Sequence, residues 1–277
     1  MGRLTILAAF GLPLLAAVAY ACRAAPPRDP GVAPAALEPP PMRATTSVFG
    51  VDVVHVWPHD PGAFTQGLIV RGGTVLESTG LYGASSLRRV DLATGRVLAR
   101  VDLAPDVFAE GIALLGGKIY QVTWRGRRGF VYDAETFAAL REFTYDGEGW
   151  GLTAVGERLV LSDGTDALRF IDPATFRVDR VVHVHDGDRP VTQLNELEIV
   201  RGEIFANIWG SNQIARIAPE SGEVKGWIDA ASIAGDGAGR DPDDVMNGIA
   251  YDEAADRLFM TGKRWRSIFE VRLKTGH

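Results

Sequence analysis

The sequence predicts an all-β protein, a five-bladed β-propeller of four-stranded antiparallel blades. Three observations carry this: one short motif recurs five times, a turn motif recurs in step with it, and no segment sustains a helical period. The first motif reads Phe64-Thr65-Gln66-Gly67-Leu68, Phe108-Ala109-Glu110-Gly111-Ile112, Glu148-Gly149-Trp150-Gly151-Leu152, Gln193-Leu194-Asn195-Glu196-Leu197 and Val245-Met246-Asn247-Gly248-Ile249. Its central residues Gln66, Glu110, Trp150, Asn195 and Asn247 are spaced by 44, 40, 45 and 52 residues, a period typical of repeat architectures.

The chain opens on an export address. Arg3 precedes an uncharged run, residues 4–21, which ends in Ala19-Tyr20-Ala21, the layout of a signal peptide. Two processing routes fit that junction. Ordinary cleavage after Ala21 would release a soluble protein, whereas Ala-Tyr-Ala-Cys also resembles a bacterial lipobox, with Cys22 lipidated as a membrane tether. Ala19 stands where a lipobox usually has leucine, but Cys22 is the only cysteine of the chain. An uncleaved single-span anchor is the third arrangement, because the apolar run approaches the length needed to cross a bilayer. Residues 22–47 are rich in proline and alanine and read as an extended tether. All three routes place residues 48–277 outside the cytoplasm, as a periplasmic, anchored or secreted domain.

Within that domain each unit runs from the motif into an apolar strand, a Gly-containing turn and a second strand. A third strand then meets the second turn, as in Asp91-Leu92-Ala93-Thr94, Asp133-Ala134-Glu135-Thr136 and Asp172-Pro173-Ala174-Thr175. Asp and Thr at this spacing can close a turn through their own side chains. A fourth strand follows in the first four units but not in the fifth. The segment at about 51–56 supplies it, closing the ring and covering exposed sheet edges.

In this fold the motif opens the innermost strand, so its five central residues should surround one mouth of the axial channel, with glycines where strands converge. A second ring comes from the end of the second strand: Trp124, Trp209 and Lys263, with Gly80 and Gly164 at the equivalent positions. Glu110, flanked by Phe108 and near Trp124, should be desolvated and have a raised pKa, which suits a proton carrier. Asn195 and Asn247 could equally serve only to satisfy buried backbone groups. In Asn195-Glu196-Leu197-Glu198, Glu198 is read as lying on the Asn195 face of a strand and Glu196 as pairing with a basic neighbour. Arg125, Arg127 and Arg128 read as a solvated loop, and His183 and His185 as surface residues rather than metal ligands. A net charge of −6 argues against nucleic-acid binding, and a single cysteine excludes a disulfide framework or a cysteine zinc site.

The stretches His59 to Leu68, Glu77 to Gly83, Glu110-Gly111-Ile112, Thr123-Trp124, Leu194 to Glu198, Asn207-Ile208-Trp209, Met246 to Ala250 and Thr261 to Trp265 resemble the plant and bacterial type of glutaminyl-peptide cyclotransferase. The resemblance spans roughly residues 48 to 273. It implies a five-bladed propeller, without cofactor or metal, that converts N-terminal glutamine of peptides or proteins into pyroglutamate with release of ammonia. It further implies Glu110 as the proton-transfer residue, and a pocket lined by Gln66, Asn195, Lys263, Trp124, Trp150 and Trp209 with Phe64 and Phe108 as walls. Our assignment adds Lys263 and Asn195 as oxyanion partners and Asn247 as a further lining residue. Two other classes fit the rings: a metal-dependent propeller hydrolase or lactonase using Glu110, Asn195 and Asn247, and a non-catalytic peptide-binding propeller. A monomer is expected.

Overall fold

Runs of β-branched and aromatic residues between Gly, Asp and Pro turns form strands throughout. The computed structural model describes residues 46–237 and 241–274. The leader, Cys22, nearly all of the tether and the last turn at Thr275 lie outside the described residues.

Strand β1 (Val48–Pro58) comes first. The first four-stranded sheet holds β2 (Thr65–Arg71), β3 (Thr74–Thr79), β4 (Ser86–Asp91) and β5 (Val97–Asp102). The next holds β6 (Ala109–Leu115), β7 (Lys118–Thr123), β8 (Arg128–Asp133) and β9 (Ala139–Thr144). The third holds β10 (Leu152–Val155), β11 (Arg158–Leu161), β12 (Ala167–Ile171) and β13 (Val178–His183). A small hairpin, β14 (His185–Asp186) and β15 (Arg189–Pro190), leads into β16 (Leu194–Val200), β17 (Glu203–Ile208), β18 (Gln213–Ile217) and β19 (Val224–Asp229). After α1 (Ala231–Gly237) come β20 (Met246–Asp252), β21 (Arg257–Gly262) and β22 (Ser267–Leu273).

The last two groups share one eight-stranded sheet ordered β16-β17-β18-β19-β1-β22-β21-β20. It divides at β1, which pairs antiparallel with β22 from Val51↔Leu273 to Pro58↔Ser267 and parallel with β19 only at Val48–Gly50. The count of five four-stranded units rests on that division. The N-terminal strand therefore completes the last sheet, over a longer span than residues 51–56. The inner strands neighbour one another in a closed cycle, β2–β6–β10–β16–β20–β2.

Apolar layers fill the junctions between neighbouring sheets. Leu87 and Ile119 share one apolar cluster, as do Leu161 and Val122, Leu168 and Ile204, Ile228 and Met260, and Phe259 and Leu68. The motif glycines fit the crowding at the axis: a Cβ on Gly151 would lie 1.9 Å from the Asn195 carbonyl oxygen, and one on Gly111 2.4 Å from the Leu152 nitrogen. The Asp/Thr turns close as expected, with Asp91 Oδ1 accepting from both the N–H (2.8 Å) and the hydroxyl (2.6 Å) of Thr94.

Helix α1 departs from the all-strand expectation. Asp229 caps it by accepting the Ala231 N–H at 2.9 Å, and its seven residues are too few to show a period. It also accounts for the long spacing between Asn195 and Asn247.

Candidate active site

The inner strands begin in irregular backbone, and that irregularity presents the ring residues. The ladder slips between Thr65 and Gly67, Ala109 and Ile112, Leu194 and Leu197, and Met246 and Ile249, so Gln66, Glu110, Asn195 and Asn247 all sit in bulges. A bulge leaves its residue out of regular pairing and re-aims the side chain. Trp150 stands two residues before its strand starts at Leu152.

Gln66, Glu110, Asn195, Asn247 and Lys263 are all buried. A chain of amides fixes the first of them. Asn247 Nδ2 donates to Gln66 Oε1 at 3.1 Å and to the Thr65 carbonyl at 2.9 Å, which leaves the Gln66 amide nitrogen to donate to Glu110 Oε1 at 3.0 Å. Asn247 thus reaches the pocket through Gln66. Burial raises the Glu110 pKa well above the ordinary carboxylate value; the Lys263 charge opposes that rise and Glu148 adds to it. Burial lowers the Lys263 pKa, against the attraction of Glu110 and Asp243. Lys263 Nζ lies 4.9 Å from the centre of the Phe64 ring, a cation–π contact that holds the ammonium against the pocket wall.

The aromatic residues form an arc. Phe64 meets Phe108 edge-on at 6.1 Å, Phe108 meets Trp124 at 5.5 Å, and Trp150 meets Trp209 at 6.1 Å. The two second-ring glycines make room for it: a Cβ on Gly80 would strike Phe108 at 2.4 Å, and one on Gly164 would strike Trp150 at 2.7 Å. Trp124 and Trp150 are half-buried, while Trp209, 40% exposed, and Tyr82, 54% exposed, mark the rim. Contacts join all the expected site residues but Asn195, which is buried in the matching bulge at the start of β16.

Three features there were not legible in the sequence. Glu148 Oε2 accepts both indole N–H groups, from Trp124 at 2.8 Å and Trp150 at 3.0 Å, and its Oε1 accepts Arg125 Nε at 3.0 Å. Arg125 is not simply solvated: its guanidinium stacks 3.9 Å from the Trp124 ring centre. Among the described residues Glu196 has no basic partner; its carboxylate accepts the backbone N–H groups of Ile249 at 2.8 Å and Leu68 at 3.2 Å, tying β16 to β20 and β2. Glu196 and Glu198 stand two residues apart, so they share a face of β16 and both reach the backbone of β20. Glu198 accepts the Tyr251 N–H at 2.9 Å, and burial pushes its pKa up to about 8.

Among the described residues no three His, Cys, Asp or Glu side chains gather as metal ligands. His183 is exposed and pairs with Asp166. A groove of about 680 Å³ lies at the other end of the strands, beside Arg201, Arg216 and Lys274. Those cations are paired with Asp256, Glu203 and Asp52, so the groove offers no comparable set of poised groups.

Comparison with known proteins shows the family and the fold. The chain is 43% identical over 228 residues to a glutaminyl-peptide cyclotransferase of Arabidopsis thaliana, covering 81% of this chain and 71% of that protein. The crystal structure of Myxococcus xanthus glutaminyl cyclase superposes with a TM-score of 0.78 at 38% identity, covering 83% of this chain and 98% of that one. The sequence profile described as glutamine cyclotransferase matches residues 17–273, and the chain belongs to that family.

Proposed function

We infer that this protein cyclises N-terminal glutamine of peptides or proteins to pyroglutamate with release of ammonia. The observation that carries the reading is a buried carboxylate, Glu110, held by Gln66 and coupled to a buried ammonium, Lys263, beneath an aromatic arc. The substrate brings its own nucleophile. Its α-amine has a pKa near 7.7 to 8.0 in model peptides, so a useful neutral fraction exists at neutral pH.

The amine nitrogen attacks the side-chain amide carbon, and the new C–N bond closes a five-membered lactam. The amine proton passes to the Glu110 carboxylate, which then delivers it to the departing NH₂ as the old C–N bond breaks, giving ammonia. Lys263 and Asn195 face the oxyanion that forms between these steps. The aromatic walls hold glutamine in its ring-closing conformer, an orientation effect that can lower a barrier by roughly 7 kcal/mol or more. The raised Glu110 pKa brings its proton affinity toward that of the groups it serves.

Incubating residues 44–277 with a Gln-initiated peptide should give a product lighter by one ammonia in mass spectrometry. The ammonium of Lys263 would repel a divalent ion beside Glu110, so excess chelator should leave the rate unchanged. Rate loss on chelation would favour the metal-dependent reading, and binding without turnover the non-catalytic one. Lys263→Met should lower kcat by about 10²–10³, the usual effect of one oxyanion partner; an unchanged kcat would remove Lys263 from the mechanism.

We further propose that the domain works outside the cytoplasm, tethered through lipidated Cys22. The residue 1–22 pattern supports this. Radiolabelled fatty acid should enter the wild-type protein in bacteria and not Cys22→Ser. Equal labelling, or none in either, would remove the tether.

A further inference from the structure

We propose that Glu148 is a positioning residue, a keystone that joins two separate stretches of aromatic wall into one rigid arc. The proposal rests on the cyclotransferase reading of the site. Phe64, Phe108 and Trp124 form one stretch, on the first two sheets; Trp150 and Trp209 form the other, on the third and fourth. No ring contact links Trp124 to Trp150 among the described residues. The link is a single carboxylate oxygen, Glu148 Oε2, which takes both indole N–H groups at 2.8 and 3.0 Å. Its other oxygen takes Arg125 Nε, and the Arg125 guanidinium carbon lies over the Trp124 ring, 3.9 Å from its centre, so that indole is held by its edge and by its face.

The backbone supports the same arrangement. Gly149 N–H donates to the Trp124 carbonyl at 3.0 Å, and a Cβ at Gly149 would strike Tyr145 Oη at 2.4 Å, so the turn carrying Glu148 and Trp150 is pressed onto the end of β7. Burial alone would raise the Glu148 pKa, but the three donors more than offset it and hold the carboxyl below its ordinary value.

Two consequences follow. First, Trp124 and Trp150 have spent their N–H groups, so they offer the substrate ring surface rather than donors. Recognition of the glutamine amide oxygen then falls to Lys263, Asn195 or the backbone. Second, the Glu148 charge reaches Glu110. The groups acting on Glu110 are Lys263, which favours its ionised form, and Glu148, which disfavours it; Tyr145 feels the Glu110 charge, and Asp243 acts on Lys263. Glu148 thus shapes the walls and biases the proton carrier.

The test compares Glu148→Ala and Glu148→Gln in the full domain, with near-UV circular dichroism, thermal midpoint and kinetics on a Gln-initiated peptide. Glu148→Ala should change the indole circular-dichroism bands and lower kcat/KM by about 10- to 100-fold, mostly through KM, at an unchanged midpoint. Glu148→Gln keeps an oxygen for both indoles and should largely restore KM. Having lost the charge, it should still move the limb of the pH profile that reports Glu110 to lower pH. Unchanged bands and KM in Glu148→Ala would overturn the proposal. So would losses that merely track the folded fraction, or a Glu148→Gln profile identical to wild type. The dichroism needs no turnover, so a wild-type protein inactive on the peptide would fail the cyclotransferase reading while the indole arrangement is still tested.

Discussion

Glu110→Gln is expected to cost at least about 10²–10⁴ in kcat, the range for losing a positioned acid–base group, while the protein becomes more stable. The substituted side chain keeps an oxygen for the Gln66 amide nitrogen, which now donates to it at 3.0 Å, so the amide chain from Asn247 survives. What disappears is a proton site. Because burial raises the folded-state pKa of Glu110 above its unfolded value, the folded state binds that proton more tightly. The fold is therefore favoured at low pH, and this contribution is lost as pH rises from the unfolded value through the folded one. Glutamine removes the penalty, so at neutral and alkaline pH the variant should melt higher than wild type. Ammonia release and a calorimetric scan measure the two halves. Turnover within a few-fold of wild type would remove Glu110 from the mechanism, and a lower melting point would contradict the electrostatic account of its burial.

Breaking the His59–Glu77 pair should cost about 3–5 kcal/mol of stability, as expected when one partner of a buried ion pair is left alone. His59 Nδ1 lies 2.8 Å from the Trp265 carbonyl and Nε2 lies 2.8 Å from Glu77 Oε1, so both ring nitrogens face acceptors. The imidazole must carry two protons to satisfy both. Burial would lower its pKa, but Glu77 and the Trp265 carbonyl outweigh this and raise it; burial likewise works against ionised Glu77, yet His59 and the Thr65 hydroxyl pull it below its ordinary value. The signs are opposite. The histidine contribution is complete below its unfolded pKa and fades as pH rises through the raised folded value. The glutamate contribution is complete above its unfolded pKa and fades as pH falls through the depressed one. Urea denaturation across pH should show a stability plateau between those limits, and Glu77→Ala should abolish it. A loss under about 1 kcal/mol in Glu77→Ala would sink this account.

Much of this molecule could be read from its residues. The motif register, the Asp-x-x-Thr turns and the missing last strand fixed the architecture, because glycines at strand convergence and side-chain-closed turns follow from local sterics and bonding. The ring residues were found for the same reason: they occupy one register position. Glu148 was not found, since its role depends on three donors converging from Trp124, Arg125 and Trp150, and no spacing encodes that convergence. Glu196 was misread because its partners are backbone N–H groups of β20 and β2, which no residue type in the sequence marks. The short helix α1 was missed because a seven-residue helix has too few turns for periodicity to register.

The pairing of β1 with β22 sets an order of events during synthesis. Among the described strands, β1 comes first in chain order and has its antiparallel partner in the last of them, β22 (Ser267–Leu273). Until those residues emerge, β1 has only its short parallel contact with β19, and the growing chain carries unpaired sheet edges. Such long-range closure is slow, since the whole intervening chain must be ordered before the seam gains its contacts. A nascent chain stopped before Ser267 holds every residue of the first ring and Lys263, yet β1 lacks its antiparallel partner and the last sheet lacks its seam.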